Sequence, residues 1–365
     1  MKYEEILELL KILAPGTVLR EGLENVLKAK TGALIVIGDS EEILKISDGG
    51  FNIDQEFTPA AIYELAKMDG GIVISNGAKK ILRANVQFVP ESKIKTKETG
   101  TRHRTAERVA KQTGELVICI SQRRGIITIF KGDFRYVINN TETILTRANQ
   151  ALETLEKYKL VLDSVVNILG ELEFDDLVSL ETVVTAIYRA EVVMRMNQEV
   201  ERNIVELGDE GRLVKMQLDE LVANVEQEEN NIIMDYLIED KIKSKSKARK
   251  FESVLSEIRK LEKSELISGE KVAKLLGYET DTAGAYLDLN VSPRGYRMLS
   301  KIPKVPYNIV INLIDSFTSL QGICRASIDD LDDVDGIGEA RARGINQGLR
   351  RLQEQYLLKG FRNII

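Results

Sequence analysis

The chain has 365 residues, of which 43% are hydrophobic and 30% are charged, and its formal net charge is −6. A chain of this length exceeds the size at which one hydrophobic core keeps growing, so we expect two or three domains in a globular, soluble protein. No run approaches about eighteen uncharged apolar residues, and the segment MKYEEILELLKIL predicts an amphipathic helix with acidic residues where a signal peptide has basic ones. We therefore expect no membrane span, no export and a cytoplasmic location.

The first 140 residues alternate helical and strand patterns and predict an α/β domain with a mixed sheet. The apolar run Thr31–Gly38 contains a glycine near each end and suits a buried strand. Thr58 followed by Pro59 is typical of a helix start, and that helix leads the chain to Asp69. The dipeptide Asn76-Gly77 predicts a hairpin with a two-residue loop, and the runs LVICIS, GIITIF and FRYVI predict further strands.

From about residue 141 the glycines thin out and apolar residues recur at helical spacing. One helix face runs from Leu145 to Leu169, and Gly170 can stop that helix. Two more long helices are predicted at about 180–207 and 211–238. The chain is therefore predicted to comprise an α/β domain, an all-α spacer and a compact helical module, at residues 1–140, 141–289 and 290–365.

Basic residues are distributed unevenly along the chain. The run DKIKSKSKARK at 240–250 is interpreted as a solvated link, with a nucleic-acid contact as the alternative. From Gly336 onward there are six basic and two acidic residues, a net charge of +4, although the whole chain is acidic. Any contact with a polyanion should therefore begin near Gly336. Cys119 and Cys324 lie in apolar surroundings without metal-ligand spacing, so we expect buried, reduced thiols.

The segment GTRHRTAER at 100–108 carries the clearest chemical signal. Thr105 is a good N-cap for a short helix that Gly114 can end. The residues ahead of Thr105 then lie at a helix N-terminus, where free N–H groups and arginine side chains favour a polyphosphate. These residues are Thr101, Arg102, His103 and Arg104, and His103 is the only histidine in the chain.

Each of these residues also has a structural interpretation. Arg102 and Arg104 could form ordinary surface ion pairs, and His103 could be a satisfied structural residue. Asp69 could simply occupy the turn that ends a helix, followed by glycines that break it. Taken together, two arginines and a histidine in consecutive positions immediately before a helix favour anion binding.

The tail contains a second glycine motif. Val334-Asp335-Gly336-Ile337-Gly338 has the form of a helix-hairpin-helix turn, in which glycines let backbone N–H groups approach a phosphate. The Gly-x-Gly triplet alone is a weak signal, and Arg341 and Arg343 strengthen it. We expect DNA contacts from Gly336, Ile337, Gly338, Arg341 and Arg343, directed at the DNA backbone.

Several segments together resemble the diadenylate cyclase domain and the tail of the DNA integrity scanning (DisA) family. The resemblance covers essentially the whole chain. It rests on MDGG at 68–71, ANVQFVP, GTRHRTAER, APGTVLR near the start, ELEFDDLV, VELGDEGRLVKMQLDEL, SPRGYR at 292–297 and VDGIGEARA. The family pattern reads Asp-Gly-Ala where this chain has Asp69, Gly70 and Gly71, and we expect the extra glycine to reduce local order without abolishing the chemistry.

The resemblance implies an enzyme that condenses two ATP molecules into cyclic di-AMP plus pyrophosphate. Asp69 would hold Mg²⁺ or Mn²⁺, the ions that oxygen-only ligation favours. Arg102, His103 and Arg104 would join Asp69 as catalytic residues by holding the leaving pyrophosphate. The other residues expected at the ATP are Gly70, Gly71, Thr101, Thr105, Ser121 and Arg123, with Arg124 as a further candidate.

The resemblance also implies partners. DNA is expected, in a branched form, together with a nucleoid-associated location and a role in DNA repair. Each chain has one set of motifs although the product joins two adenylates symmetrically, so we expect a homo-oligomer with facing cyclase domains, an octamer by resemblance. The alternative is a DNA-binding adaptor that senses ATP or cyclic di-AMP without catalysis. A purely structural helical scaffold would not explain residues 69–108.

Overall fold

The computed structural model describes residues 3–238, 244–278, 284 and 288–362. The chain divides into two compact units. The N-terminal unit comprises Met1–Gln150 with Val200–Met216, and the C-terminal unit comprises Ala151–Glu199 with Gln217–Ile365. The domain boundaries after residues 140 and 289 stay predictions. In the described part of the chain, no helix is both long enough and apolar enough to span a membrane.

One eight-stranded sheet forms the centre of the N-terminal unit, with the strand order β2-β5-β4-β1-β6-β7-β8 and β3 paired to β5. The strands are β1 (Ala33–Ile37), β2 (Ser47–Asp48), β3 (Phe51–Glu56), β4 (Gly71–Ile74), β5 (Lys80–Phe88), β6 (Leu116–Ser121), β7 (Ile126–Lys131) and β8 (Phe134–Ile138). β1 and β4 run parallel, and the other pairs are antiparallel. The predicted α/β domain with a mixed sheet is confirmed.

Helices cover both faces of this sheet. They are α1 (Tyr3–Ile12), α2 (Val18–Lys28), α3 (Glu41–Lys45), α4 (Pro59–Leu65) and α5 (Thr101–Thr113). One apolar core lies between the sheet and α1, α2 and α4, and a second lies between the sheet and α3 and α5. Thr58 caps α4 as predicted, because its hydroxyl accepts a hydrogen bond from the Ala61 N–H.

Helix α5 begins five residues earlier than predicted. Its N-cap is Gly100, and the Arg104 N–H donates to the Gly100 carbonyl at 2.9 Å. Thr105 therefore lies inside the helix, and its assignment as N-cap is wrong. Threonine is tolerated in a helix interior, and Gly100, the first residue of the segment, is the N-cap. Gly114 ends it in the left-handed conformation, as predicted.

The hairpin between β4 and β5 is present, but four residues, 76–79, lie between the hydrogen-bonded pair Ser75 and Lys80. The Ser75 N–H donates to the Lys80 carbonyl at 2.9 Å, which closes the loop around Asn76-Gly77. Gly77 and Ala78 both have positive φ, 80° and 54°. The predicted two-residue loop is wrong because a second left-handed residue extends the turn beyond the glycine.

The remaining elements are helical. They are α6 (Thr141–Asp175), α7 (Leu180–Leu207), a 3₁₀ turn (Gly208–Gly211), α8 (Arg212–Val222), α9 (Val225–Tyr236), α10 (Ser244–Lys260), α11 (Lys263–Ser268), α12 (Glu270–Leu275), α13 (Tyr296–Ser300), α14 (Tyr307–Phe317), α15 (Leu320–Arg325), α16 (Ile328–Asp332) and α17 (Glu339–Arg362). The multidomain layout of an α/β part followed by helical parts is confirmed. The bounds of α7 agree with the sequence prediction.

Two helix predictions are wrong. Gly170 does not stop α6, which continues to Asp175. A Cβ at Gly170 would overlap the ring of Tyr356, so this glycine serves packing. The helix predicted at 211–238 is broken at Asn224, which has a φ of 66°. The first residues of the basic link, including Lys243, lie outside the described residues, and the rest of the link belongs to α10.

Candidate functional site

The candidate active site lies at one edge of the sheet in the N-terminal unit. β1 and β4 are parallel and begin at this edge, with Ile35 opposite Ile72. β6 is antiparallel to β1 and ends there with Ser121. The first turn of α5 opens at the same edge, and Asp69 lies two residues before β4. The topology therefore brings together three segments that are distant in sequence.

A cleft of about 700 Å³ opens at this edge. Its lining residues are Asp69, Gly100, Thr101, Arg102, His103, Ile120, Ser121, Gln122 and Arg123. An adjoining cleft of about 560 Å³ is lined by Glu98, Thr99, Gly100, His103, Ser121, Arg123 and Arg124. Volumes of this size suit a nucleotide. The structure thus brings together six of the predicted site residues, namely Asp69, Thr101, Arg102, His103, Ser121 and Arg123.

The further candidate Arg124 lines the adjoining cleft, whereas four predicted residues line neither cleft. Arg104 lies in the first turn of α5 but is exposed, and it forms no ion pair with the described residues. Thr105 is half-buried one position further along the helix. Gly70 and Gly71 shape the backbone next to Asp69. Roles for these four residues at the ATP stay predictions.

Arg102 is positioned by a glycine that the sequence analysis did not identify. Its guanidinium lies with Nη2 3.7 Å from Oδ1 of Asp69, and its side chain is 35% exposed. A Cβ at Gly32 would overlap Nη1 of Arg102 and lie 3.2 Å from the carbonyl oxygen of Ile120. Gly32 therefore provides the space in which the guanidinium lies. The only sequence signal was a glycine immediately before a buried strand.

Asp69 is suited to a hard cation shared with a ligand. Its carboxylate is fully exposed, and at 3.7 Å Arg102 is too far away to hydrogen-bond to it. Within the described residues, no cluster of three or more His, Cys, Asp or Glu side chains could hold a metal ion. Mg²⁺ commonly binds through one or two carboxylates together with substrate phosphates, and Asp69 offers the carboxylate of that donor set.

The two glycines after Asp69 are required by close packing. The Gly70 N–H donates to Oδ1 of Asn85 at 3.2 Å, and a Cβ at Gly70 would overlap the Asn85 backbone. A Cβ at Gly71 would overlap the ring of Phe88, which is buried. In this chain the Phe88 ring occupies the space that an alanine methyl at position 71 would need.

His103 is the buried member of the site. It is 8% exposed, and its Nδ1 lies 3.4 Å from Sγ of Cys119. Burial lowers the pKa of His103, since desolvation is the largest influence on it, so the ring is neutral near pH 7. Arg102 and Arg123 are therefore the cationic groups lining the main cleft.

The end of the GTRHRTAER segment is structural. The Glu107 carboxylate accepts hydrogen bonds from the Thr96 hydroxyl and from Nζ of Lys111, at 2.8 Å for the lysine. The Arg108 side chain donates to the Ile94 carbonyl at 3.0 Å. These contacts hold the loop before Gly100 against α5, and that loop leads directly into the adjoining cleft.

The candidate nucleic-acid interface is the turn between α16 and α17 in the C-terminal unit. Gly336 has a φ of 79°, and Gly338 directly precedes α17. A Cβ at Gly338 would meet no atom within 4 Å, so the backbone is open there. Ile337 between them is buried and anchors the turn.

The two arginines of this turn have intramolecular partners. Arg341 donates to the Gly336 carbonyl, and Arg343 pairs with Glu339 at 2.5 Å. Both pairs are exposed, so each arginine can exchange its partner for a phosphate at small cost.

A second turn of the same design precedes it, which the sequence analysis missed. In the turn between α13 and α14, Lys304 adopts the left-handed backbone conformation, with a φ of 64°. Gly336 adopts the same conformation in the turn between α16 and α17. In both segments the residue two positions before the left-handed one donates to the carbonyl three residues back, from Ile302 to Leu299 in the first and from Val334 to Leu331 in the second. The first turn has Pro306 where the second has Gly338, so it lacks the N–H at that position.

Comparison with known proteins gives consistent matches. The family model described as "DisA bacterial checkpoint controller nucleotide-binding" matches residues 20–134, and the one described as "DisA bacterial checkpoint controller linker region" matches residues 138–284. A DNA integrity scanning protein DisA of Clostridium botulinum (Loch Maree, type A3) is 53% identical over 357 residues, 98% of each chain.

Two further relatives carry the same name. The Acetivibrio thermocellus protein is 54% identical over 98% of this chain and 97% of its own length. The Clostridium tetani protein is 53% identical over 97% of this chain and 95% of its own length.

Proposed function

This chain belongs to the DNA integrity scanning protein DisA family, and from that membership we propose that it is a diadenylate cyclase whose activity is coupled to DNA scanning. The observation that carries the catalytic part is the cleft at the sheet edge, where one exposed carboxylate faces two guanidinium groups beside a helix N-terminus. This combination suits a nucleoside triphosphate and a divalent cation.

The proposed reaction joins two ATP molecules. The 3′-hydroxyl of each ATP attacks the α-phosphorus of the other, the bond from that phosphorus to the β-phosphate oxygen breaks, and the hydroxyl proton is released. One cyclic di-AMP and two pyrophosphates result. The protein's task is to hold the triphosphate in line and to stabilise the charge that develops on the leaving group.

The lining residues divide this task among them. Arg102 and Arg123 bind phosphate oxygens, and Arg104 is proposed to reach the same anion from the exposed side of α5. Thr101 and the free N–H groups of the first turn of α5 supply further donors. Asp69 would hold Mg²⁺ or Mn²⁺ together with the phosphates, and the bound ion would neutralise charge at the reacting phosphate.

The described residues of one chain form one such cleft, whereas cyclic di-AMP contains two equivalent adenylates. Two copies must therefore present their clefts to each other, and we propose a homo-oligomer built on two-fold contacts. An octamer is the assembly that the family resemblance suggests.

For the tail we propose DNA-backbone binding through the Gly336–Gly338 turn. The open backbone at Gly338 allows a phosphate to approach the N–H groups at the start of α17, and Arg341 and Arg343 are the third and fifth residues of that helix. Such contacts read shape and charge, in keeping with branched DNA as the partner, and they would associate the protein with the nucleoid.

Replacing Asp69 by asparagine tests the catalytic part. The amide keeps the size of the side chain but loses the charge that holds the cation, so formation of cyclic di-AMP should be abolished while the fold is retained. Asp133→Asn, at an equally exposed carboxylate outside both clefts, is the matched control. Near-normal turnover by the Asp69→Asn protein would remove Asp69 from the proposed role.

Replacing Gly338 by valine tests the tail. Its Cβ meets no protein atom, so the fold should persist while a phosphate is kept away from the backbone. DNA affinity and its salt dependence, measured by fluorescence anisotropy, should both fall while basal cyclase activity stays unchanged. If affinity falls only when Lys243, Lys245 and Lys247 are neutralised, the basic link binds the DNA instead.

The second candidate function is an adaptor that senses ATP or cyclic di-AMP without catalysis. Its only specific support was Gly71. The packing of Phe88 over Gly71 now gives that glycine a structural explanation. The cyclase therefore remains the better-supported proposal.

A further inference from the structure

The two nitrogens of the single histidine have different surroundings. Nδ1 of His103 contacts the Cys119 thiol at 3.4 Å, whereas Nε2 is buried without a hydrogen-bond partner among the described residues. His103 also lines both clefts at the sheet edge. A buried nitrogen without a partner is destabilising, and a ligand bound at this site would satisfy it.

The ring itself is fixed by its neighbours. It packs edge-on against Phe130, with ring centroids 6.4 Å apart and an interplanar angle of 81°. Cys119 lies in β6, directly under α5, and is fully buried. The imidazole therefore has a defined orientation, with Nδ1 towards the sheet.

A protonated thiol can donate the hydrogen bond in the contact between His103 and Cys119. Burial raises the pKa of Cys119 to about 12, so its sulfur keeps its hydrogen at neutral pH. A neutral imidazole has one donor nitrogen and one acceptor nitrogen, and the hydrogen bond made by one decides the state of the other. A thiol that donates to Nδ1 places the ring proton on Nε2.

We propose that Cys119 is a positioning residue, which donates to Nδ1 of His103 and so holds the ring in the tautomer that carries its proton on Nε2, as a donor to a phosphate oxygen of the bound ligand. This inference rests on the proposed function for the identity of the ligand. The opposite tautomer would direct a lone pair at an anionic oxygen, which is repulsive. A neutral donor here complements the charges of Arg102 and Arg123 without requiring a buried cation.

The experiment uses the full-length protein labelled with ¹⁵N only in histidine, which yields a single imidazole. Solid-state ¹⁵N NMR, which the size of an assembly does not limit, shows which nitrogen carries the proton. Cys119→Ser keeps a donor at this position, and Cys119→Ala removes it. Cys324→Ala, at the only other cysteine, is the matched control.

Binding of the α,β-methylene analogue of ATP, measured by calorimetry, gives a second readout that needs no turnover. We expect the Nε2–H tautomer in the parent and in Cys119→Ser, and a mixture of tautomers in Cys119→Ala. The alanine variant should bind the analogue about threefold to tenfold more weakly, the range for losing a well-oriented hydrogen bond. Cys324→Ala should change neither result.

Two outcomes overturn the proposal. These are an Nδ1–H tautomer in the parent, or an unchanged tautomer and affinity in Cys119→Ala. A wrong assignment of the proposed function would give a different result. The parent would then show the Cys119-dependent Nε2–H tautomer but form no cyclic di-AMP. In that case the positioning role stands and the reaction is wrong.

Discussion

Replacing Gly32 by alanine should impair ATP use through Arg102, although position 32 bears no functional group. The added methyl would overlap Nη1 of Arg102 and lie 3.2 Å from the Ile120 carbonyl, so the guanidinium must move away. A hydrogen bond to a charged group contributes about 1.5 to 3 kcal/mol, so the KM for ATP should rise about tenfold to a hundredfold. Gly32 does not have positive φ, so the alanine itself should not strain the backbone.

Steady-state kinetics on four proteins test this reasoning. They are the parent, Gly32→Ala, Arg102→Ala and the double variant. If Gly32 acts through Arg102, the double variant should be no worse than Arg102→Ala alone. Gly344→Ala, where a Cβ meets no atom within 4 Å, controls for the general effect of replacing glycine. A KM within twofold of the parent for Gly32→Ala, or additive effects in the double variant, would refute the steric argument.

Two further predictions concern packing. Gly71→Ala should lower cyclase activity and the melting temperature, because its methyl displaces the Phe88 ring. Adding Phe88→Leu to the Gly71→Ala protein should restore both. If the leucine does not restore them, the Phe88 ring is not the obstacle. Arg297 is fully buried and pairs with Glu173 at 2.5 Å, so Arg297→Met should lower the free energy of unfolding by about 3 to 5 kcal/mol in urea titrations. Adding Glu173→Gln should recover part of that loss, and a further loss instead would contradict the ion-pair explanation.

Local signals in the sequence predicted several features correctly. The Thr58 cap, the left-handed Gly114 and the bounds of α7 each depend on residues within a turn or two of one another. The family motifs likewise lie in short contiguous segments. The structure brings most of the predicted site residues to one edge of the sheet.

The features that the sequence could not reveal depend on contacts between residues that are far apart along the chain. Gly170 was interpreted as a helix stop because the Tyr356 ring that requires it lies far along the chain. Gly32 gains its role from Arg102, and the contact of His103 depends on a cysteine in another strand. Composition and spacing carry no information on which side chains the fold will bring together.

In the proposed reaction, two ATP molecules become one product. Incubating the full chain with Mn²⁺ and an equal mixture of unlabelled and ¹³C,¹⁵N-labelled ATP tests it directly by mass spectrometry. We expect cyclic di-AMP in light, mixed and heavy forms, with the mixed form most abundant, and two pyrophosphates per product. The absence of cyclic di-AMP, or a product without the mixed form, would contradict it.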